Sequence, residues 1–184
     1  MQQTAMRMAV VGAGPAGLAL ALQAARLLPQ ASITVYDARS EDRDVSADPR
    51  TLALSLGSAQ LLQRLQAWPA ECAEPILEVQ VSQAPPSLPD GWGAAEVRIS
   101  AAEQRVPMLG AVLAYGPLVA TLQKAWATAV AAEPQRLASR FGAPVKAIQP
   151  AASGVQVTAA EAEDFDLAVV AEGGVFADQA RKAL

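Results

Sequence analysis

Residues 10–27 read "VVGAGPAGLALALQAARL", an apolar run with glycines at 12, 14 and 17 in the spacing G-x-G-x-x-G and no charge before Arg26. Three structures could account for it. A secretory signal needs an unbroken apolar helix behind a basic residue; Arg7 is in place, but Gly12, Gly14 and Pro15 interrupt the helix. A membrane span fails on the same interruption. The third reading uses each glycine. Residues 6–11, "MRMAVV", form a buried parallel strand, and Gly12 makes the tight turn out of it. Gly14 then lets the backbone approach a pyrophosphate, and Gly17 lets the following helix pack on the strand. Pro15 and Ala16 fall in the first helical turn, where a proline's missing N–H is not needed. The free N–H groups of that turn, aided by the helix dipole, face an anion.

The flanks support this reading. A helix of about four turns closes near Pro29, and "ASITVYD" at 31–37 reads as a second strand with Ile33 and Val35 alternating. It ends at Asp37, twenty residues after Gly17, where the dinucleotide fingerprint places a carboxylate that accepts hydrogen bonds from a ribose. The bland alternative is a solvated acid at a strand end. Ala38 and Arg39 follow; Arg39 either stacks over the base or is a solvated loop charge. The fingerprint by itself does not distinguish FAD from NAD.

Composition narrows the chemistry. The chain has 184 residues, 52% hydrophobic and 17% charged, as expected of a folded domain. A net charge of −4, no basic cluster and only eight aromatic residues argue against nucleic acid as a partner. One cysteine, Cys72, excludes an internal disulfide. The absence of histidine removes Ser-His-Asp and Cys-His sites and histidine-based zinc sites, and no metal site is expected. Reactive chemistry therefore falls to a cofactor, and no side chain stands out as catalytic.

Further along, 48–68, "DPRTLALSLGSAQLLQRLQAW", reads as a turn at Asp48-Pro49, then a loop and a helix carrying Leu61, Leu62 and Leu65 on one core-facing side. "ILEVQVSQ" and "AEVRIS" alternate like half-buried antiparallel strands around the loop "APPSLPDGWGAA" at 84–95, with Trp92 at its tip. Trp92 either covers a ligand or packs on its own hairpin. A helix is expected from Pro117 to about Ala132, with Leu118, Leu122, Ala125 and Ala129 on the face against the main sheet. "PVKAIQP", "GVQVT" and "FDLAVVAEGG" complete the strands, and the last brings Glu172-Gly173-Gly174 to the glycine loop.

"GAGPAGLALAL", the 48–68 block, "PILEVQVSQ" at 75–83, "LGAVLAYGPLVATL" at 109–122 and "FDLAVVAEGG" at 165–174 together resemble the FAD-dependent aromatic hydroxylases of ubiquinone biosynthesis, within the flavoprotein monooxygenases. The resemblance implies an α/β fold: a Rossmann-like FAD-binding domain with a parallel sheet, at 1–74 and 110–184, and the first strands of an inserted antiparallel substrate-binding sheet at 75–109. It implies FAD held by Gly12, Gly14, Pro15, Ala16, Gly17, Asp37, Ala38, Arg39, Arg50, Glu172 and Gly173. Arg50 would pair with phosphate oxygens; its alternative is a surface arginine paired with Asp48 or Asp44. NADPH or NADH would be the electron donor, and a polyprenylated phenol would receive one oxygen atom of O₂.

The resemblance also implies a cytoplasmic protein with peripheral contact at the inner face of a membrane and a place in a multi-enzyme ubiquinone assembly. Two blocks depart from the family: Glu172-Gly173 stands where Asp-Gly is common, and Gly116-Pro117 where an arginine is usual. The family's later Gly-Asp motif, remaining substrate sheet and C-terminal helix lie past the sequence given. The chain is thus expected to be a truncated, N-terminal portion that does not hydroxylate alone. An NAD(H)-binding dehydrogenase domain and a non-catalytic nucleotide-binding module remain the alternatives.

Overall fold

The computed structural model describes residues 5–46, 48–82 and 96–173. In chain order it contains β1 (Arg7–Val11), α1 (Pro15–Leu27), β2 (Ser32–Asp37), β3 (Thr51–Ser55), α2 (Leu56–Arg64), a 3₁₀ turn (Ala70–Cys72), β4 (Ala73–Ile76), β5 (Glu78–Ser82), β6 (Glu96–Ser100), β7 (Gly110–Ala114), α3 (Tyr115–Ala132), β8 (Leu137–Phe141), β9 (Ala147–Ala151), β10 (Gly154–Thr158), β11 (Ala162–Phe165) and β12 (Leu167–Val170).

Met8 to Val11 are all buried, which requires cover on both faces of the strand, and β1 accordingly lies inside a parallel sheet of order β12-β1-β2-β8. β1 and β2 are joined through α1 as a βαβ unit in which Val10 faces Val35 and Val11 faces Tyr36. Leu18, Ala21, Leu22 and Ala25 recur at helical spacing on α1's buried side and pack on the sheet with Val10, Ile33 and Val35. α3 lies beside α1, burying Leu118, Val119, Leu122 and Trp126. The other face of the sheet is covered by the antiparallel sheet β11-β10-β9, through Val157 and Phe165 against Ala9, Val11 and Tyr36. The chain is thus mixed α/β, with one parallel sheet and separate antiparallel ones.

Three expectations need correcting. The 48–68 block is not a loop followed directly by a helix: Thr51–Ser55 form β3, in a three-stranded antiparallel sheet of order β3-β7-β4. Leu52 and Leu54 alternate with Thr51, Ala53 and Ser55, and the leucines are the half-buried positions of this strand. Of the later strands, β9 and β10 pair antiparallel in the covering layer and β12 pairs parallel with β1. The edges of the main sheet are β12 and β8, and β8 pairs parallel with β2 although "LASRF" carries Ser139 and Arg140. Ser139 Oγ accepts the indole N–H of Trp126 at 3.0 Å, so a polar strand residue satisfies a core tryptophan.

β5 and β6 pair as expected, Val79 with Ile99 and Val81 with Val97, but all of β5 and most of β6 are exposed rather than half-buried. Their alternation is real; what is missing among the described residues is a layer for the apolar side to face. α3 begins at Tyr115, two residues before Pro117, and the proline is tolerated because it stays within the first turn. Trp92, the 84–95 loop and Gly174 lie outside the described residues. No helix among the described residues is long and apolar enough to cross a membrane.

Candidate functional site

The site is built where β1 ends. Gly12 takes φ +107°, a conformation side chains rarely adopt, and its N–H donates to Tyr36 O at 2.7 Å. A Cβ on Gly12 would lie 2.8 Å from the Ala171 carbonyl carbon. Ala171 N–H donates to Val11 O at 2.7 Å, which draws the end of β12 against the turn. At Gly17 a Cβ would sit 1.9 Å from Gly12 O, so helix and turn approach as closely as glycine permits. Gly17 is therefore a packing residue and does not line the cleft. Gly14 differs, since its missing Cβ points to open space bounded at 3.6 Å by the Tyr115 hydroxyl.

α1 begins without a side-chain cap and without an acidic residue in its first turn, with Pro15 at its start. Leu18 N–H makes the first bond to Gly14 O, at 3.0 Å, leaving the N–H groups of Ala16 and Gly17 without helical acceptors. An uncapped helix start beside a glycine turn offers donors and positive potential to an anion.

Asp37 closes β2 and is buried, yet it is fully partnered. Ala13 N–H donates to its Oδ2 at 2.7 Å and Arg39 N–H to its Oδ1 at 2.8 Å. The Arg39 guanidinium adds Nε to Oδ1 and Nη2 to Oδ2, both at 2.9 Å. Burial pushes the carboxyl up, but the bonds from Arg39 and from Ala13 N–H outweigh it and hold the group below the ordinary aspartate value. Arg39 is thus neither a solvated loop charge nor projected outward; it is folded onto Asp37.

Across the cleft, Arg50 takes the alternative pairing foreseen for it, donating Nη2 to Asp48 Oδ2 at 2.7 Å and Nε to Oδ1 at 3.0 Å. Its guanidinium also lies 4.1 Å over the Tyr115 ring. Glu172 sits beside Gly12; burial chiefly, and then the Asp37 charge, push its carboxyl above the ordinary glutamate value.

These groups enclose an open cleft of ≈ 710 Å³ lined by Gly12, Gly14, Pro15, Ala16, Asp37, Ala38, Arg39, Arg50, Leu52, Tyr115, Ala171, Glu172 and Gly173. The structure so brings together every residue expected to hold the cofactor except Gly17, and adds Leu52, Tyr115 and Ala171. Tyr115 had no sequence signal, because its neighbours across the cleft are far away in the chain. A slightly larger open groove, ≈ 770 Å³, runs between α1 and α3, but its Arg136 is spent on Glu133 and on Ala25 O. The groove has no glycine turn, uncapped helix start or buried carboxylate of the kind that meet at the end of β1, so the glycine-turn cleft is the better site. Among the described residues no three His, Cys, Asp or Glu side chains come together as a metal site.

No family model and no curated protein matches the chain. Solved structures do. FqzB superimposes with TM-score 0.64 at 16% identity over 98% of this chain and 39% of its own. HpxO of Klebsiella pneumoniae, solved as a complex with FAD, gives TM-score 0.57 at 16% identity over 89% of this chain and 38% of its own. A 2-methyl-3-hydroxypyridine-5-carboxylic acid oxygenase gives 0.60 at 15% identity over 91% of this chain and 40% of its own. The chain therefore shares the fold of part of these proteins and spans about two-fifths of their length.

Proposed function

We propose that the chain is the FAD-binding portion of a flavin-dependent aromatic monooxygenase. One observation carries the reading: the uncapped start of α1 and the carboxylate ending β2 face one cleft at the carboxyl ends of parallel strands, where open α/β sheets bind nucleotides. The cleft residues fit the group. Gly14 leaves the room a pyrophosphate needs, Ala16 N–H supplies a donor, and Asp37 holds the ribose once Arg39 yields one carboxylate oxygen. FAD, rather than NAD, is favoured because HpxO, which shares the fold, was solved with FAD.

Bound there, FAD supplies the redox chemistry, accepting reducing equivalents from NADPH or NADH and using O₂ to hydroxylate an electron-rich ring. The chain's own residues bind and orient it. The glycine turn fixes the diphosphate, Asp37 and Arg39 fix the adenosine end, and Arg50 adds positive charge along the cleft. The substrate class we propose is a polyprenylated phenol of ubiquinone biosynthesis, supported by the family resemblance of the 48–68 block. Peripheral contact with a membrane and a multi-enzyme assembly follow from such a substrate's tail.

Titrating the purified protein with FAD and following quenching of flavin fluorescence tests the reading. Saturable quenching that Asp37→Ala weakens supports it. A protein that ignores FAD but binds NAD is a dehydrogenase-type domain, and one that binds neither is no dinucleotide protein.

A further inference from the structure

We infer that Tyr115 is a ligand-contacting residue of the cleft: its hydroxyl donates to the diphosphate held by the glycine turn, and its ring seats Arg50 beside the same anion. The inference rests on the dinucleotide reading and adds a donor that the glycine fingerprint does not contain. Gly14 is the point where backbone comes nearest the pyrophosphate. Among the described residues beyond its chain neighbours, a Cβ at Gly14 would meet the Tyr115 hydroxyl oxygen, at 3.6 Å. The phenol therefore faces the turn from the opposite wall.

Its place is fixed by backbone. Tyr115 N–H donates to Arg50 O at 2.6 Å, and Gly116 N–H donates to Asp48 O at 3.3 Å. A Cβ on Gly116 would fall 2.3 Å from Ser46 O, so the start of α3 is pressed against the chain that carries Arg50. β3 and β7 continue the attachment, with Thr51 opposite Ala114. Tyr115 is thus anchored at its main chain while its ring stays in the cleft.

The two aspartates of this wall are already paired. Arg39 occupies both oxygens of Asp37, and Arg50 Nε and Nη2 occupy Asp48. A phenol set among two committed arginines and a glycine turn finds its acceptor in an incoming anion. Arg50, stacked on the ring and paired with Asp48 along one edge, adds its positive charge beside the same anion.

The test compares ligands with and without the diphosphate on one variant. Tyr115→Phe keeps the ring and the Arg50 seat and removes the hydroxyl alone. Binding of ADP, adenosine and FAD to the purified protein is measured by ligand-observed NMR and flavin fluorescence. The hydroxyl-to-phosphate bond predicts that Tyr115→Phe weakens ADP and FAD roughly tenfold and leaves adenosine unchanged. Tyr115→Leu, which also unseats Arg50, should weaken ADP further; if it fails to fold, the phenylalanine variant still decides. Equal losses for adenosine and ADP would mean a structural role and overturn the inference. Unchanged ADP affinity in Tyr115→Phe would overturn it while the dinucleotide reading stands. A wild-type protein that binds neither ADP nor FAD removes both.

Discussion

At the scale of single residues, the site holds two carboxylates pushed in opposite directions. Asp37 is stabilised as an anion by Arg39 and Ala13 N–H, and Glu172 is disfavoured as one by burial and by Asp37. The signs follow from proton linkage. Asp37's folded value lies below its unfolded one, so its contribution to stability is complete above the unfolded value and is lost as pH falls through the folded one. Glu172's folded value lies above its unfolded one, so its contribution grows as pH falls and is lost as pH rises through the folded value. A diphosphate beside Glu172 strengthens that trend, because binding the anion then favours taking up a proton. FAD affinity should accordingly rise as pH is lowered from neutrality toward the range where Glu172 protonates. Glu172→Gln should bind FAD more tightly at neutral pH and lose that part of the dependence; identical titration curves from pH 7 downward would refute the assignment. Asp37→Asn should instead weaken FAD by roughly tenfold, since the charge that holds Arg39, and on the proposed reading the ribose, is removed.

At the scale of elements, the glycines divide by what a methyl group would meet. Gly17→Ala puts a carbon 1.9 Å from Gly12 O, and neither α1 nor the turn can retreat without breaking the contact at Ala171. The expected cost is about 3 kcal/mol or more, read in chemical denaturation, with loss of FAD binding. Gly57, in the first turn of α2, has only Ser55 Oγ nearby at 3.9 Å, and Gly57→Ala should stabilise by about 0.5 kcal/mol by relieving glycine's entropy. The contrast shows what the sequence could disclose. Gly12, Gly14 and Gly17 declared a turn because their spacing has a local mechanical cause, and Asp37 followed from chain distance alone. β3 hid because alternation over five residues beside Pro49 looked like a loop. β8 hid because Ser139 and Arg140 break its apolar pattern, and Ser139's reason for being there is Trp126, on a different element. Tyr115 hid for a similar reason: its meaning lies in Gly14 and Arg50, which only folding brings near.

At the scale of the whole molecule, apolar side chains are distributed unevenly. The parallel sheet is covered on both faces, by α1 and α3 on one side and by the β11-β10-β9 layer on the other, and the β5–β6 ribbon carries Leu77, Val79, Val81, Val97 and Ile99 exposed. Sequence alternation could show that this ribbon has an apolar side, but not whether anything lies on it, because cover is a property of other segments. Stability in the described residues should therefore be insensitive to that side. Replacing Val81 and Val97 together by threonine preserves the β-branched shape and the strand preference, and removes only methyl groups already in water. The free energy of unfolding should change by no more than about 0.5 kcal/mol. The same change at Val157, fully buried between Tyr36 and Phe165, places a hydroxyl where apolar groups surround it and should cost about 1–3 kcal/mol. Binding of a hydrophobic dye should fall in the Val81 and Val97 double variant and not in the Val157 one. If the double variant proved as costly as Val157→Thr, the ribbon would be covered in the working protein, and its apolar side would belong to the core.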